Sequence, residues 1–301
     1  MKKISIFDTE VNDFTKESLT QELIKCFGGQ KNLLFAKVNT EFILRARQND
    51  DFNATLGGFD YKIADGIGVL WAAKYLSLPF AAKKLKITNF PPSHKASERA
   101  GKLLIGAEAI WQWTYTSLSL LFCPKYVRAP IPERIPGVDC LYLMLEAAIN
   151  TDSSVYLFGA EKDVLKAAKK NLEAKYPKLR IVGHHDGYDY TDKKIIDDIN
   201  RLGAELLVVA LGSPKQEYWI RDNIGKLPSV RVAVGEGGSF DFVAGTFKRA
   251  PKWMQRIGLE WLWRLFMNKS KTQTGSRMKR IWQAVPLFMY KVVLYKIQNH
   301  S

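Results

Sequence analysis

Residues 154–182 read SVYLFGAEKDVLKAAKKNLEAKYPKLRIV, and this stretch decides the fold. The apolar run Ser154–Phe158 stops at Gly159. The segment Asp163–Lys175 then sets Val164, Ala167, Ala168 and Leu172 on one helical stripe, and LRIV (179–182) is apolar again. The alternation continues downstream with a helical DKKIIDDINRL (192–202), a fully apolar ELLVVALG (205–212), a helix from Pro214 and VRVAVG (230–235). Continuous apolar strands separated by amphipathic helices indicate a parallel sheet covered on both faces. Upstream, strands are predicted at Leu33–Val38 and Tyr61–Ala64 and helices at Thr40–Gln48 and Ile67–Tyr75. The expected class is α/β, a Rossmann-like, mostly parallel sheet flanked by helices.

Two segments fall outside this pattern. Between Pro79 and Glu133 the alternation is lost, so 80–132 reads as a basic, aromatic insertion with helical character. After Pro251 the chain is again helical in pattern, broken at Asn268–Ser276 and at Pro286. The expected organisation is a Rossmann-like domain over 1–251 and a basic, Trp-rich helical appendage over 252–301.

Charge follows the same division. The 301 residues carry 45 Lys/Arg against 30 Asp/Glu, a net +15. Residues 80–132 hold eight cations against Glu98 and Glu108, and residues 246–301 hold twelve against Glu260 alone, so the remaining body is near neutral. Cationic segments rich in Trp suit an anionic membrane surface. Nucleic acid satisfies the same arithmetic. The stretch Leu103–Phe122 is long enough to span a bilayer, but Glu108, Gln112 and several Ser/Thr dilute it, so it is expected to lie along the interface.

Cys26, Cys123 and Cys140 are widely spaced and read as reduced thiols. The N-terminus turns polar after three apolar residues, which is not a signal-peptide pattern. The composition, 47% hydrophobic and 25% charged, excludes a disordered or collagen-like chain.

Ligands of parallel α/β sheets bind beyond the carboxyl ends of the strands. Asp65-Gly66 follows the second predicted strand, as a helix cap or as a functional carboxylate. Ser213-Pro214-Lys215-Gln216 follows ELLVVALG and has the residue types of a capping box, while Lys215 at a helix N-terminus could face a phosphate. Gly235, Gly237 and Gly238 form a turn that lets backbone N–H groups approach a ligand. Gly159-Ala160 has one glycine where a dinucleotide fingerprint needs three, so a nicotinamide-dependent oxidoreductase is excluded. The P-loop motif is also absent. No D-x-D motif for a metal-bound nucleotide occurs, and His184-His185-Asp186 is the one histidine cluster.

Ordered blocks extend these observations: Asn39-Thr40-Glu41, Ala64–Val69 (ADGIGV), Glu133–Asp139 (ERIPGVD), Gly183 with Asp186-Gly187-Tyr188, Gly212–Glu217 (GSPKQE), Phe240-Asp241 with Ala244-Gly245, Arg249-Ala250-Pro251, and Gly258–Trp261 with Arg264. Together they resemble the WecG/TagA/CpsF family of bacterial glycosyltransferases, glycosyltransferase family 26, over roughly residues 1–79 and 133–265. The resemblance implies an inverting, metal-independent transfer from a UDP-sugar (N-acetylmannosamine type, its uronic acid or a related hexose) to a polyprenyl-diphosphate-linked acceptor in cell-surface polysaccharide or teichoic acid synthesis. It implies no cofactor and a peripheral site on the inner face of the cell membrane.

By the same resemblance Asp65 is the general base. Asn39, Thr40, Arg134 and Gln216 line the donor pocket, with Lys215 and the Gly235–Gly238 turn near the phosphates. Arg249, Arg264, Arg277 and Arg280 are carried to the acceptor side. Neither the sugar, the acceptor nor a homo-oligomeric state follows from the sequence. Two departures stand out: the 53-residue insertion at 80–132, for which a lipid-facing role is expected, and Glu236, where the family usually has a small or apolar residue. The competing reading is a catalytically silent basic protein of the same fold that binds a membrane or nucleic acid. It predicts loss of Asp65, Arg134 or Gln216, and all three are present.

Overall fold

The computed structural model describes residues 1–81, 95–256, 260, 262–263 and 283–300. A two-stranded antiparallel hairpin, β1 (Lys3–Ile6) and β2 (Thr9–Asn12), precedes helix α1 (Lys16–Gly28), which Thr15 and Ser18 open as a capping box. The main sheet has six parallel strands: β3 (Leu33–Val38), β4 (Tyr61–Ala64), β5 (Ser154–Gly159), β6 (Arg180–His185), β7 (Leu206–Ala210) and β8 (Val232–Gly235), in the order β4-β3-β8-β7-β5-β6. The doubly covered α/β class expected from the apolar runs is therefore present.

Period-two alternation sends each strand's side chains to two separate cores. On one face Tyr156, Phe158, Leu207, Val209 and Ala233 meet α2 (Thr40–Gln48), α3 (Asp50–Gly57), α4 (Ile67–Ser77), α8 (Asp192–Leu202) and α9 (Lys215–Asn223). On the other, Val155, Leu157, Val208 and Val234 meet α1, α6 (Gly137–Asn150), α7 (Lys162–Lys175) and α10 (Ser239–Ala244). Gly159 ends β5 at φ +110°, and an added Cβ would stand 2.5 Å from the Ala210 carbonyl carbon, so only glycine fits there.

The segment expected as a basic, helical insertion contains α5, a 28-residue helix (Lys95–Phe122) packed against α4 and against α12 (Phe288–His300). A polar seam faces the protein. The Trp71 indole donates to Thr116 Oγ1 (3.1 Å), the Tyr75 hydroxyl to the Ala109 carbonyl (3.1 Å), and Gln112 Nε2 to the Pro79 carbonyl (2.9 Å). Lys296, fully buried on α12, donates to the Tyr75 carbonyl (2.6 Å) and to Gln112 Oε1 (2.5 Å). Burial draws its ammonium down to about 8. Pro286 does not open a loop: it sits inside a π-turn, Gln283–Leu287, that runs straight into α12. A short helix α11 (Lys252–Arg256) follows Pro251, and the expected break at Asn268–Ser276 lies outside the described residues.

Candidate active site

A cleft of about 680 Å³ opens beyond the carboxyl ends of β3, β4, β7 and β8. Its polar floor carries Lys37, Asn39, Thr40, Asp65, Arg134, Gln216 and the Gly235–Gly238 turn. Its apolar wall is built by Ile67 and Trp71 of α4, Leu120 and Leu121 of α5, and Val285, Phe288 and Met289. One end of the cleft thus presents hydrogen-bonding groups and the other hydrocarbon.

Asp65 is not a helix cap. Gly66 precedes α4 and no side chain caps that helix; the Asp65 carboxylate instead accepts from the Gly137 amide (2.9 Å) at the start of α6. That hydrogen bond holds the carboxylate in one orientation at the start of α6. An added Cβ on Gly137 would lie 2.7 Å from Lys37 Nζ, so only glycine leaves room for the lysine beside this amide.

Under Asp65 lies a buried charge pair not identified from the sequence. Lys37 donates to Glu236 Oε2, and the Ser239 hydroxyl donates to the same oxygen. Glu236 is fully buried and its Oε1 has no partner. Burial pushes the Glu236 carboxyl up, against the pull of Lys37. Burial would likewise draw the Lys37 ammonium down, but the carboxylates of Glu236 and Asp65 outweigh it and hold it above its ordinary value. The signal available in the sequence was Glu236 itself; its partner is 199 residues away.

Gln216 and Glu217 open α9 without capping it, so the predicted capping box does not form. Gln216 Nε2 donates sideways to Glu217 Oε1 (2.7 Å). Gln216 Oε1 is buried without a partner, and an added Cβ on Gly237 would meet it at 2.9 Å. Burial pushes the Glu217 carboxyl up. Lys215 is exposed, with its ammonium 5.1 Å from the centre of the Tyr190 ring, and is not part of the cleft lining. Asn39 caps α2, its Oδ1 accepting from Phe42 N (3.0 Å), and so reaches the cleft as part of a fixed turn. Arg134 Nη2 donates to the Gln255 carbonyl (2.9 Å), which fixes the guanidinium in the cleft lining.

Of the acceptor-side arginines, Arg249 bonds Glu260 through Nε (3.0 Å) and Nη2 (3.2 Å) and also pairs with Asp139, which Lys16 joins at 3.0 Å. The Arg249 guanidinium is thus engaged by two carboxylates, while Glu260 lines the cleft. Arg264, Arg277 and Arg280 lie outside the described residues. Among the described residues no three His, Cys, Asp or Glu side chains gather as a metal-binding group, and the His185 ring faces the Asp186 carbonyl (2.8 Å).

A family model described as "Glycosyl transferase WecG/TagA/CpsF family" matches residues 4–111 and 110–301. A Bacillus subtilis (strain 168) protein named N-acetylglucosaminyldiphosphoundecaprenol N-acetyl-beta-D-mannosaminyltransferase is 38% identical over 138 residues, which are 46% of this chain and 54% of that protein. Staphylococcus aureus proteins of the same name, from strains MW2 and NCTC 8325, are 25% identical over 296 residues, 98% of this chain and 93% of theirs.

Proposed function

This chain belongs to the WecG/TagA/CpsF family of glycosyltransferases, and from that premise we propose that it transfers an N-acetylmannosamine-type sugar, with inversion, from a UDP-sugar to a polyprenyl-diphosphate-linked sugar at a membrane surface. The observation that carries this reading is the position of Asp65, fixed by the Gly137 amide where the polar floor of the cleft meets its apolar wall. The acceptor has the same two-part character: a sugar diphosphate on a hydrocarbon chain.

In the proposed step the acceptor hydroxyl gives its proton to Asp65 while its oxygen attacks the anomeric carbon from the face opposite the nucleotide. The bond from that carbon to the UDP oxygen breaks, and its electron pair leaves with the diphosphate. Arg134 and the Gly235–Gly238 turn meet the developing charge, the guanidinium through paired hydrogen bonds and the turn through backbone amides. Lys37 adds positive potential beside Asp65. The reading assigns no step to a metal. It places the protein peripherally on the inner membrane face; no helix of the described residues is long and apolar enough to cross a membrane. Residues 252–301 are assigned as an appendage that completes the acceptor side.

The test is a panel of UDP-sugars with a short-chain polyprenyl-diphosphate-linked N-acetylglucosamine, comparing the wild type with Asp65→Asn. Transfer should fall by roughly 10²–10⁴, with stabilisation by UDP retained and with EDTA without effect. Retained turnover in Asp65→Asn would refute the assigned base. Strict dependence on a divalent ion would refute the metal-free step. Absence of any transfer or UDP stabilisation would favour the catalytically silent reading.

A further inference from the structure

Helix α5 is turned inside out relative to an ordinary surface helix. The stripe that faces the protein is Ala109, Gln112, Thr116 and Ser119, all buried and three of them polar. Successive spacings of three and four residues place Leu103, Ala107, Ile110, Trp111, Thr114, Leu118, Leu121 and Phe122 on the opposite side. Leu103 is 75% exposed, Ile110 61%, Trp111 69% and Phe122 82%. A contiguous apolar strip of this length marks an interaction surface.

We propose that this outward face is a docking surface for an anionic lipid leaflet, with the helix lying in the plane of the headgroup–acyl boundary. Three observations select lipid as the occupant. From 103 to 122 the one charged residue is Glu108, whose carboxylate turns inward to the Ala81 amide (2.7 Å) and the Gln112 side chain (3.1 Å). Cations flank the strip instead, at the exposed Lys102, Lys125 and Arg128, and the whole chain carries +15. Basic residues beside an apolar helix face are what attraction to anionic headgroups requires.

The third observation is continuity. Ser117, Leu120 and Leu121 near the C-terminal end of the helix line the cleft, so the strip runs into the mouth of the site. A leaflet seated on α5 would bring a lipid-anchored acceptor to the apolar wall directly. This last point rests on the proposed function; the docking surface itself does not.

The structure supplies its own reporter. Cys123 directly follows Phe122 and is exposed, whereas Cys26 and Cys140 are buried. The full-length protein, labelled at Cys123 with a polarity-sensitive fluorophore, is mixed with acceptor-free vesicles of phosphatidylethanolamine and phosphatidylglycerol. Emission should shift to the blue and be quenched by brominated acyl chains. The variant Leu103→Glu, Ile110→Glu, Leu118→Glu alters exposed positions outside the cleft lining. It should bind these vesicles at least about tenfold more weakly, while its thermal midpoint and its turnover of the short-chain acceptor stay close to wild type.

Unchanged vesicle affinity in that variant would overturn the proposal. So would sedimentation equilibrium showing a dimer that the same substitutions dissociate while vesicle binding persists, because the face would then belong to a second copy. Inactivity of wild type and variant alike toward the acceptor would count against the proposed transfer reaction alone, since docking is read on vesicles without substrate.

Discussion

Replacing Lys37 by methionine isolates the buried pair beneath Asp65. In the wild type Glu236 is 0% exposed and its Oε2 is held by Lys37 and Ser239. Without the ammonium the carboxylate keeps the Ser239 hydroxyl as its hydrogen-bond donor and faces the negative charge of Asp65. Removing one partner of a buried ion pair costs about 3–5 kcal/mol. Protonation relieves that cost, so it depends on pH. The folded-state pKa of Glu236, already raised by burial, rises further without Lys37. The folded variant then binds a proton that the unfolded chain releases.

Stability of the variant is therefore full below the ordinary carboxylate pKa and falls as pH climbs toward the folded pKa, by about 1.4 kcal/mol per unit. Thermal unfolding from pH 5 to pH 8.5 should show the gap from wild type widening, to roughly 5–10 °C at the alkaline end. Lys37→Met combined with Glu236→Leu should recover most of the loss, because an apolar pair of similar volume removes both desolvation costs. A gap of constant size across the pH range, or a double variant no better than the single one, would refute the reasoning.

Gly137→Ala brings a methyl group to 2.7 Å from Lys37 Nζ and disturbs the amide that holds Asp65; transfer should fall at least about tenfold with UDP stabilisation nearly intact, a kcat effect measured in steady-state assays. Arg134→Lys keeps the charge but loses the planar fork, so the KM for the UDP-sugar should rise severalfold, as initial-rate kinetics will show. Lys296, lowered to about 8 in the fold by burial and opposed by Glu108, binds fewer protons folded than unfolded between that value and 10.5. Docking of α12 should therefore strengthen as pH rises from 8 toward 10, and Lys296→Met should flatten the trend in thermal midpoints.

The strands were legible because their apolar runs are local: Leu33–Val38 and Tyr61–Ala64 form with the boundaries their composition predicts, and Asp192–Leu202 is the helix its amphipathic spacing indicates. What the site adds is non-local. Asp65 looked like a cap for the helix after it, but its partner amide is 72 residues downstream. Ser213–Gln216 has the composition of a capping box, yet the Gln216 amide turns to Glu217 and the glycine turn after β8. The helical character of α5 was expected, but which side faces the protein was not legible: polarity tells inside from outside when water is the alternative surroundings, and here the polar seam is internal.

The contact between Lys296 and Gln112 closes 184 residues of sequence separation. A ribosome adding about 5–20 residues per second leaves α5 waiting roughly 10–40 s for α12, with its greasy side and the part of its polar seam that Lys296 closes uncovered. During that interval the nascent chain has a sticky helix and an unfinished reaction chamber, so engagement with a chaperone or the bilayer while translation is still under way would shield it. Yield in the cell should respond more sharply to the rate of elongation through the second half of the message than the finished protein's stability would suggest.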